Sequence, residues 1–212
     1  MKVRTLEKFE DLMAAEFSWR QKELTTLRQQ VEGAREHAQP MAVRAGTALL
    51  YAHWEGFVKY AGRLYVEFAR QKKLPYDQLS TAFLGIALKA KIDDLMQAKA
   101  ARIHLAFADA IRTQMATAAP LRPDLVDTGA NLSAARFREI VERLGLNYSR
   151  YELRENLIDV QLLKARNEIA HGQHVEVGTQ EFLALHREME SLIREFREDL
   201  LVAAQTNGYR RP

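Results

Sequence analysis

Apolar residues recur at spacings of three and four along nearly the whole chain, and only ten glycines and five prolines interrupt its 212 residues. This spacing is the period of an amphipathic α-helix. No alternating apolar and polar run is long enough to indicate a β-strand. With 47% hydrophobic and 28% charged residues, the chain is able to bury a core in a single domain. The pattern predicts an all-α helical bundle.

Two long helices are expected first, over residues 3–32 and 40–73. The second is apolar on more than one face between Ala45 and Phe68, which is typical of a buried central helix. Two helical pieces should lie between residues 76 and 118, with weak break points at Gly85 and at residues 97–100. We place the later helices over residues 134–144, 151–171 and 180–204, after a loop at 119–133 that contains Pro120, Pro123 and Gly129. One helical domain would then span residues 1–204, followed by a frayed polar tail over residues 205–212.

The composition excludes several classes of function. The chain has no cysteine, which excludes a disulfide scaffold, a thiolate metal site and a cysteine nucleophile. Charged residues from Lys2 to Glu10 argue against a signal peptide, and no apolar run approaches the roughly 18 residues of a membrane span. We therefore expect a cytoplasmic protein without a membrane partner. The net charge of +3 permits nucleic-acid binding without arguing for it.

The end of the predicted helix over 151–171 brings three chemically useful side chains together. Asn167 and His171 are four residues apart, hence about 40° from each other around the helix axis, and Arg166 immediately precedes Asn167. Histidine is the side chain suited to proton transfer near neutral pH, and arginine is suited to a phosphate's charge. Cleavage of RNA through its own 2′-hydroxyl needs such groups and no metal. The alternative is a surface arginine and a histidine at a helix C-terminus.

Four segments together resemble a known family. They are, in chain order, Trp19 to Leu24 (WRQKEL), Tyr51 to Lys59 (YAHWEGFVK), Leu157 to Asp159 (LID) and Arg166 to Gly172 (RNEIAHG). The last resembles the signature of the HEPN superfamily, an arginine, usually a polar residue, and a histidine after four to six positions. The set is similar to the cyanobacterial-type MAE branch of HEPN-like nucleases, over about residues 3–200.

The resemblance implies a HEPN-like bundle that forms a homodimer, with the two Arg-to-His segments facing each other across a shared cleft. It implies a metal-independent endoribonuclease of the kind found as toxins and in antiphage defence, with RNA as substrate and an antitoxin or defence protein as a further partner. By position, His171 would be the acid and base, Arg166 the phosphate-binding cation and Asn167 the orienting group. Glu55 is a further candidate, because a carboxylate in so apolar a helix is costly unless paired. Lys59, one turn on, is a second candidate or simply the salt-bridge partner of Glu55.

Other interpretations of the same residues stay open at this point. The family also includes members that only bind RNA or protein, so a non-catalytic module in a toxin-antitoxin or defence operon is the alternative. Some HEPN toxins carry a tyrosine two residues after the histidine, and a partner nucleotidyltransferase modifies that tyrosine. Gln173 stands at this position here, so we do not expect that control.

The sequence gives little reason to expect a metal site. Glu168 and His171 would be half of a di-iron site, but no second such pair is found. His171 and His174 would need a third ligand to hold zinc, and none is evident, so we expect no metal or cofactor. Four aromatic residues of the second helix would pack in the core rather than stack on bases: Tyr51, Trp54, Tyr60 and Tyr65.

Overall fold

The computed structural model describes residues 2–97, 100–175 and 177–212, and within them the chain is helical, without a β-strand. The prediction of an all-α bundle is confirmed. The α-helices of these residues are α1 (Leu6–Glu32), α2 (Gln39–Gln71), α3 (Thr81–Gln97), α4 (Ala101–Gln114), α5 (Ala134–Arg143), α6 (Ala165–Ala170) and α7 (Thr179–Gln205). None of the described helices is long and apolar enough to cross a membrane.

Helix α2 is the centre of the bundle, as its sequence predicted. It packs against both α1 and α7, and it buries side chains around most of its circumference from Val43 to Ala69. Trp54, at its middle, is fully buried. On α1 the buried residues are apolar, among them Phe9, Met13 and Leu24, with one basic exception. Arg20 is only 8% exposed, because its partners lie inside the bundle.

Several helix boundaries follow from local capping. The Thr5 hydroxyl accepts a hydrogen bond from the Lys8 amide, so α1 begins at Leu6, three residues later than predicted. Ser133 caps α5 in the same manner, so this helix begins at residue 134, as predicted. The break expected at Gly85 is wrong, since this glycine lies inside α3. The break expected at residues 97–100 separates α3 from α4, although residues 98 and 99 themselves lie outside the described part of the chain.

Residues 151–171 do not form the single α-helix that their spacing predicted. A 3-10 helix over Ser149–Arg154 leads into a π-helix over Leu157–Lys164, which we call the π segment, and only then does α6 begin. Ile158 and Leu162, which are four residues apart, are both fully buried in the π segment, so the apolar side of this segment still faces the core. The apolar spacing reports which side is buried, and it does not distinguish one helical winding from another.

The end of the chain is packed rather than frayed. Tyr209 is 1% exposed and lies among Phe68 and Phe83 of the core. Its carbonyl accepts a hydrogen bond from the Ser80 amide at 2.9 Å. The expectation of a frayed tail is wrong, because a single buried aromatic side chain holds these residues on the bundle. Where the domain ends stays a prediction.

Candidate functional site

Arg166 lies in the first turn of α6 and is held by groups that carry no charge. Its guanidinium stacks on the ring of Tyr51, 4.5 Å from the ring centroid. One of its terminal nitrogens donates to the side-chain oxygens of Asn131 at 2.8 Å and Asn167 at 2.7 Å. These contacts fix the arginine's position but do not neutralise it. A fixed, uncompensated guanidinium is suited to bind a phosphate.

Tyr51 provides the ring on which the Arg166 guanidinium stacks. It is 2% exposed, and its hydroxyl oxygen accepts a hydrogen bond from the Leu132 amide at 2.7 Å. Burial raises the pKa of Tyr51 to about 12, and the hydrogen bond that it donates to the Glu55 carboxylate acts in the same direction. The hydroxyl therefore stays protonated at physiological pH. Tyr51 is part of the core, as predicted, and also the platform of the site.

Glu55 and Lys59 do not pair with each other. The Glu55 carboxylate accepts a hydrogen bond from the hydroxyl of Thr128, a fully buried residue, at 2.7 Å, besides the bond from Tyr51. Lys59 instead lies 3.9 Å from a carboxylate oxygen of Asp127. The salt bridge considered from sequence is therefore replaced by two hydroxyl contacts on Glu55. These contacts satisfy a carboxylate that an apolar helix would otherwise leave without partners.

His171 lies at the other end of α6, where the helix stops. Its backbone N–H donates to the Asn167 carbonyl at 3.0 Å, and Gly172 follows with a φ of +73°, a conformation that favours glycine. The His171 side chain is exposed. Asn167 is one turn away on the same side of the helix and also accepts the bond from Arg166. Asn167 thus links the buried end of the site to its exposed histidine.

The loop at residues 119–133 positions the site by running alongside α2. Ala119 first contacts Leu74, just beyond the end of α2, and the loop then contacts successive turns of that helix from Arg63 back to Tyr51. The pairs on the helix are Val126 with Arg63, Asp127 with Lys59, Thr128 with Glu55, and Leu132 with Tyr51. Gly62 permits the close approach, since a Cβ there would lie 2.8 Å from Val126. The loop thereby brings Asn131 to Arg166.

The π segment is anchored to the start of α5. The Asp159 carboxylate accepts a hydrogen bond at 2.7 Å from the Ala134 amide, at the start of α5. This contact gives Asp159, part of the quoted Leu157 to Asp159 segment, a structural role as a second cap of α5. Because α6 continues directly from the π segment, the same contact also helps to set the position of Arg166.

A second polar cluster joins the two N-terminal motifs. Arg20 is paired with Glu16 at 2.6 Å and donates to the carbonyl of His53 at 3.2 Å and to its Nδ1 at 3.4 Å. The His53 Nε2 lies 3.2 Å from the Glu23 carboxylate. Burial, followed by the positive charge of Arg20, lowers the pKa of His53 below its usual value. The neutral tautomer with its proton on Nε2 satisfies both neighbours. A Cβ at Gly56 would lie 2.9 Å from the Arg20 guanidinium, so a larger residue here would force that guanidinium to shift.

Sequence patterns did not indicate every residue of the site. Arg166, Asn167, His171 and Glu55 were singled out, and the structure brings the first two into direct contact. Thr128 and Asn131 were not, because they lie in a loop whose path along α2 depends on the tertiary structure. In the described part of the chain, no group of three or more His, Asp or Glu side chains is placed to hold a metal ion.

Comparison with known proteins gives one match. The family model described as MAE_28990-like HEPN matches residues 9–209, a range that includes all four quoted segments and every residue of the site. No curated protein and no solved structure matched the chain.

Proposed function

The chain belongs to the MAE_28990-like HEPN family, and from that premise we propose that it is a metal-independent endoribonuclease. The coarser statement, that it is a nuclease or an RNA-related module, follows from the family itself. The observation that carries the finer proposal is the state of Arg166. It is fixed by Tyr51, Asn131 and Asn167, all neutral groups, so its charge remains for an anionic substrate.

The proposed reaction uses the substrate's own nucleophile. The 2′-oxygen of a ribose attacks the adjacent phosphorus while its proton passes to a base, and the bond to the 5′-oxygen of the next nucleotide breaks as that oxygen gains a proton. The products are a 2′,3′-cyclic phosphate and a 5′-hydroxyl. His171 is the group proposed for these proton transfers, since it is exposed at the end of α6. Arg166 stabilises the charge that develops on the phosphorane oxygens.

The neighbouring polar residues have positioning roles in this scheme. Asn167 orients the Arg166 guanidinium through the 2.7 Å bond. Glu55 acts one step further away, because it fixes the Tyr51 hydroxyl and thereby the ring on which Arg166 stacks. Glu55 is already bonded to Thr128, which argues for this role over direct proton transfer.

The proposal includes a second copy of the chain. HEPN domains commonly dimerise and bind RNA, and each subunit supplies one His171 for two proton transfers. A homodimer with both His171 side chains in one cleft would supply a base and an acid together. By the same resemblance we propose that the protein is a toxin or an antiphage effector, restrained or triggered by an antitoxin or defence-system protein.

The deciding experiment is cleavage of a mixed RNA pool in the presence of EDTA, with the product ends identified. Wild type should release 2′,3′-cyclic phosphate ends, and His171→Ala should not. His104→Ala, which removes another exposed histidine on α4, is the matched control and should cleave as wild type does. Lack of cleavage by the wild type would contradict the nuclease proposal and favour a non-catalytic RNA- or protein-binding module.

A further inference from the structure

A groove runs between α1 and the loop at residues 119–133, with α2 as its floor. It has a volume of about 480 Å³. We call it the α1–α2 groove. The loop contributes Pro123, and the charged lining residues are Glu16, Arg20, Lys59, Arg63, Glu67 and Arg70. Arg20 is paired with Glu16 and Arg70 with Glu67. The reaction proposed above assigns no role to this groove, although residues from two of the family-like segments line it.

Two cations on the groove floor are available to an anion. Lys59 is 39% exposed in its side chain, and its contact with Asp127 is long, at 3.9 Å. Arg63 donates from Nε to the backbone carbonyl of Val126 at 2.9 Å, a bond that holds the guanidinium without neutralising it. The two residues are one turn apart on α2, about 6 Å along the helix axis. Successive phosphates of a nucleic-acid strand are suited to such a pair.

Trp19, an exposed aromatic side chain of α1, is in contact with two of the residues that line the groove. The Trp19 indole donates to Glu16 at 2.9 Å, and the Arg20 guanidinium covers the ring at 4.4 Å. Both partners line the groove, and both hold the tryptophan in place while it remains 41% exposed. A rigid, half-exposed indole beside basic residues is typical of a surface on which an unpaired base stacks.

The groove and the site lie along the same helix, α2, with the loop contact of Thr128 on Glu55 between them. Tyr51, on which Arg166 stacks, is followed one turn later by Glu55 and two turns later by Lys59. Eight residues of helix correspond to about 12 Å, a distance that a few nucleotides span. A strand bound at Arg166 therefore needs only a short step to enter the groove.

We infer that the α1–α2 groove binds the single-stranded RNA that extends from the cleavage site, with phosphates at Lys59 and Arg63 and a base on Trp19. The choice of RNA rests on the proposed function. The arrangement would favour unpaired over duplex RNA, because a base within a duplex is not free to stack on the indole.

The test uses a 12-nucleotide single-stranded RNA in which every 2′-hydroxyl is methylated, so that it cannot be cleaved through that group. The chain has two tryptophans, Trp19 on the groove and the fully buried Trp54. Binding should quench tryptophan fluorescence in the wild type. In Trp19→Phe the quenching should disappear, while fluorescence anisotropy of a labelled oligonucleotide still reports binding. Quenching that persists in Trp19→Phe would overturn the placement of a base on Trp19.

The phosphate contact is tested with a matched pair of lysine variants. Lys59→Gln should weaken binding roughly tenfold and reduce the slope of log affinity against log salt by about 0.7, the value for one contact with a single strand. Lys89→Gln is the control, because Lys89 on α3 is similarly exposed, at 41%, and also pairs with a carboxylate, Asp93. Binding by Lys59→Gln equal to that of the control would overturn the groove proposal.

The outcome is independent of cleavage, because the methylated oligonucleotide has no free 2′-hydroxyl. A wild type that binds it through the groove but cleaves no ordinary RNA would retain this inference and contradict the nuclease. A wild type that cleaves ordinary RNA would retain the nuclease. If in addition Lys59→Gln binds the oligonucleotide as Lys89→Gln does and quenching persists in Trp19→Phe, the groove proposal would be contradicted.

Discussion

Arg166 and His171 are five residues apart in the chain, and their surroundings in the fold differ. Arg166 has a ring beneath it and two amide oxygens on one nitrogen, whereas His171 is exposed at a helix end. A guanidinium held before the substrate arrives loses little freedom on binding a phosphate. Among the residues that the structure describes, none makes a hydrogen bond or ion pair with the His171 side chain, and in the proposed homodimer the partner subunit would orient it.

Replacing Arg166 should affect activity far more than stability. Arg166→Ala removes the proposed cation and should lower the RNA cleavage rate by about 100-fold or more. The lost stacking on Tyr51 should cost only about 1 kcal/mol of unfolding free energy. Arg138→Ala is the control, because Arg138 also stacks on a tyrosine, 4.4 Å from the Tyr148 ring, and its ion-pair partners Glu152 and Glu155 are not residues of the site. Parallel losses of activity and stability in Arg166→Ala would indicate a structural arginine instead.

His53 should make the unfolding free energy depend on pH. Its pKa is lower in the folded protein than in the unfolded chain, where it is about 6.5, so the unfolded chain binds more protons between these two values. Stability from this residue is thus present above pH 6.5 and is lost as the pH falls towards the lower, folded-state pKa. Urea unfolding at pH 7.5 and 5.5 should show a smaller decrease for His53→Gln than for wild type. An equal decrease in both would contradict the assignment.

The residues of the site were predictable only in part. Arg166, Asn167 and His171 follow from a short motif, since their relation is local in the chain. Asn131 and Thr128 contribute through contacts with residues 35 and 73 positions away, and no local pattern marks them. Tyr51 was expected to be core, and it is, but its second role depends on the approach of α6.

At the scale of elements, the π segment is the departure that bears most on the site. The apolar residues Ile158, Leu162 and Ala165, spaced four and three apart, predict a buried face, and the structure buries all three, the first two in the wider winding of a π-helix. The spacing does not report hydrogen-bond register, so the winding was beyond sequence analysis. π-helical turns occur frequently at functional sites, and this one directly precedes Arg166.

Asp159→Ala tests whether the π segment positions the site. It removes the acceptor for the Ala134 amide and should cost about 1 kcal/mol of unfolding free energy, as the loss of a helix cap does. Ser133→Ala removes the other cap of α5 at a similar cost, but Ser133 does not belong to the π segment. We expect cleavage to fall several-fold only in Asp159→Ala. Equal cleavage by the two variants, measured on the same RNA, would assign Asp159 to stability alone.

At the scale of the whole molecule, the architecture was the most predictable feature. Helical periodicity over long stretches leaves few alternatives to a bundle, and the apolar circumference of α2 identified its centre. The packing of Tyr209 was not predictable, because a polar segment with one tyrosine resembles a solvated tail until its neighbours are known.

Assembly is the whole-molecule prediction. We expect light scattering to report a dimer at micromolar protein concentration, and specific activity to fall when the protein is diluted until it dissociates. A further check is wild type mixed with an excess of His171→Ala and allowed to exchange subunits, which should lose cleavage because a mixed dimer has only one His171 in the cleft. A monomer at micromolar concentration, or a wild type whose cleavage is unaffected by the excess variant, would contradict the shared cleft.

The loop alongside α2 limits how relatives of this chain can vary in length. Surface loops ordinarily accept inserted residues at little cost. Between Val126 and Leu132, however, the loop meets α2 at successive turns. One additional residue near Val126 would shift each later contact out of step and move Asn131 away from Arg166. Natural insertions and deletions should therefore be rare in this stretch, even though its composition is that of an unconstrained connection.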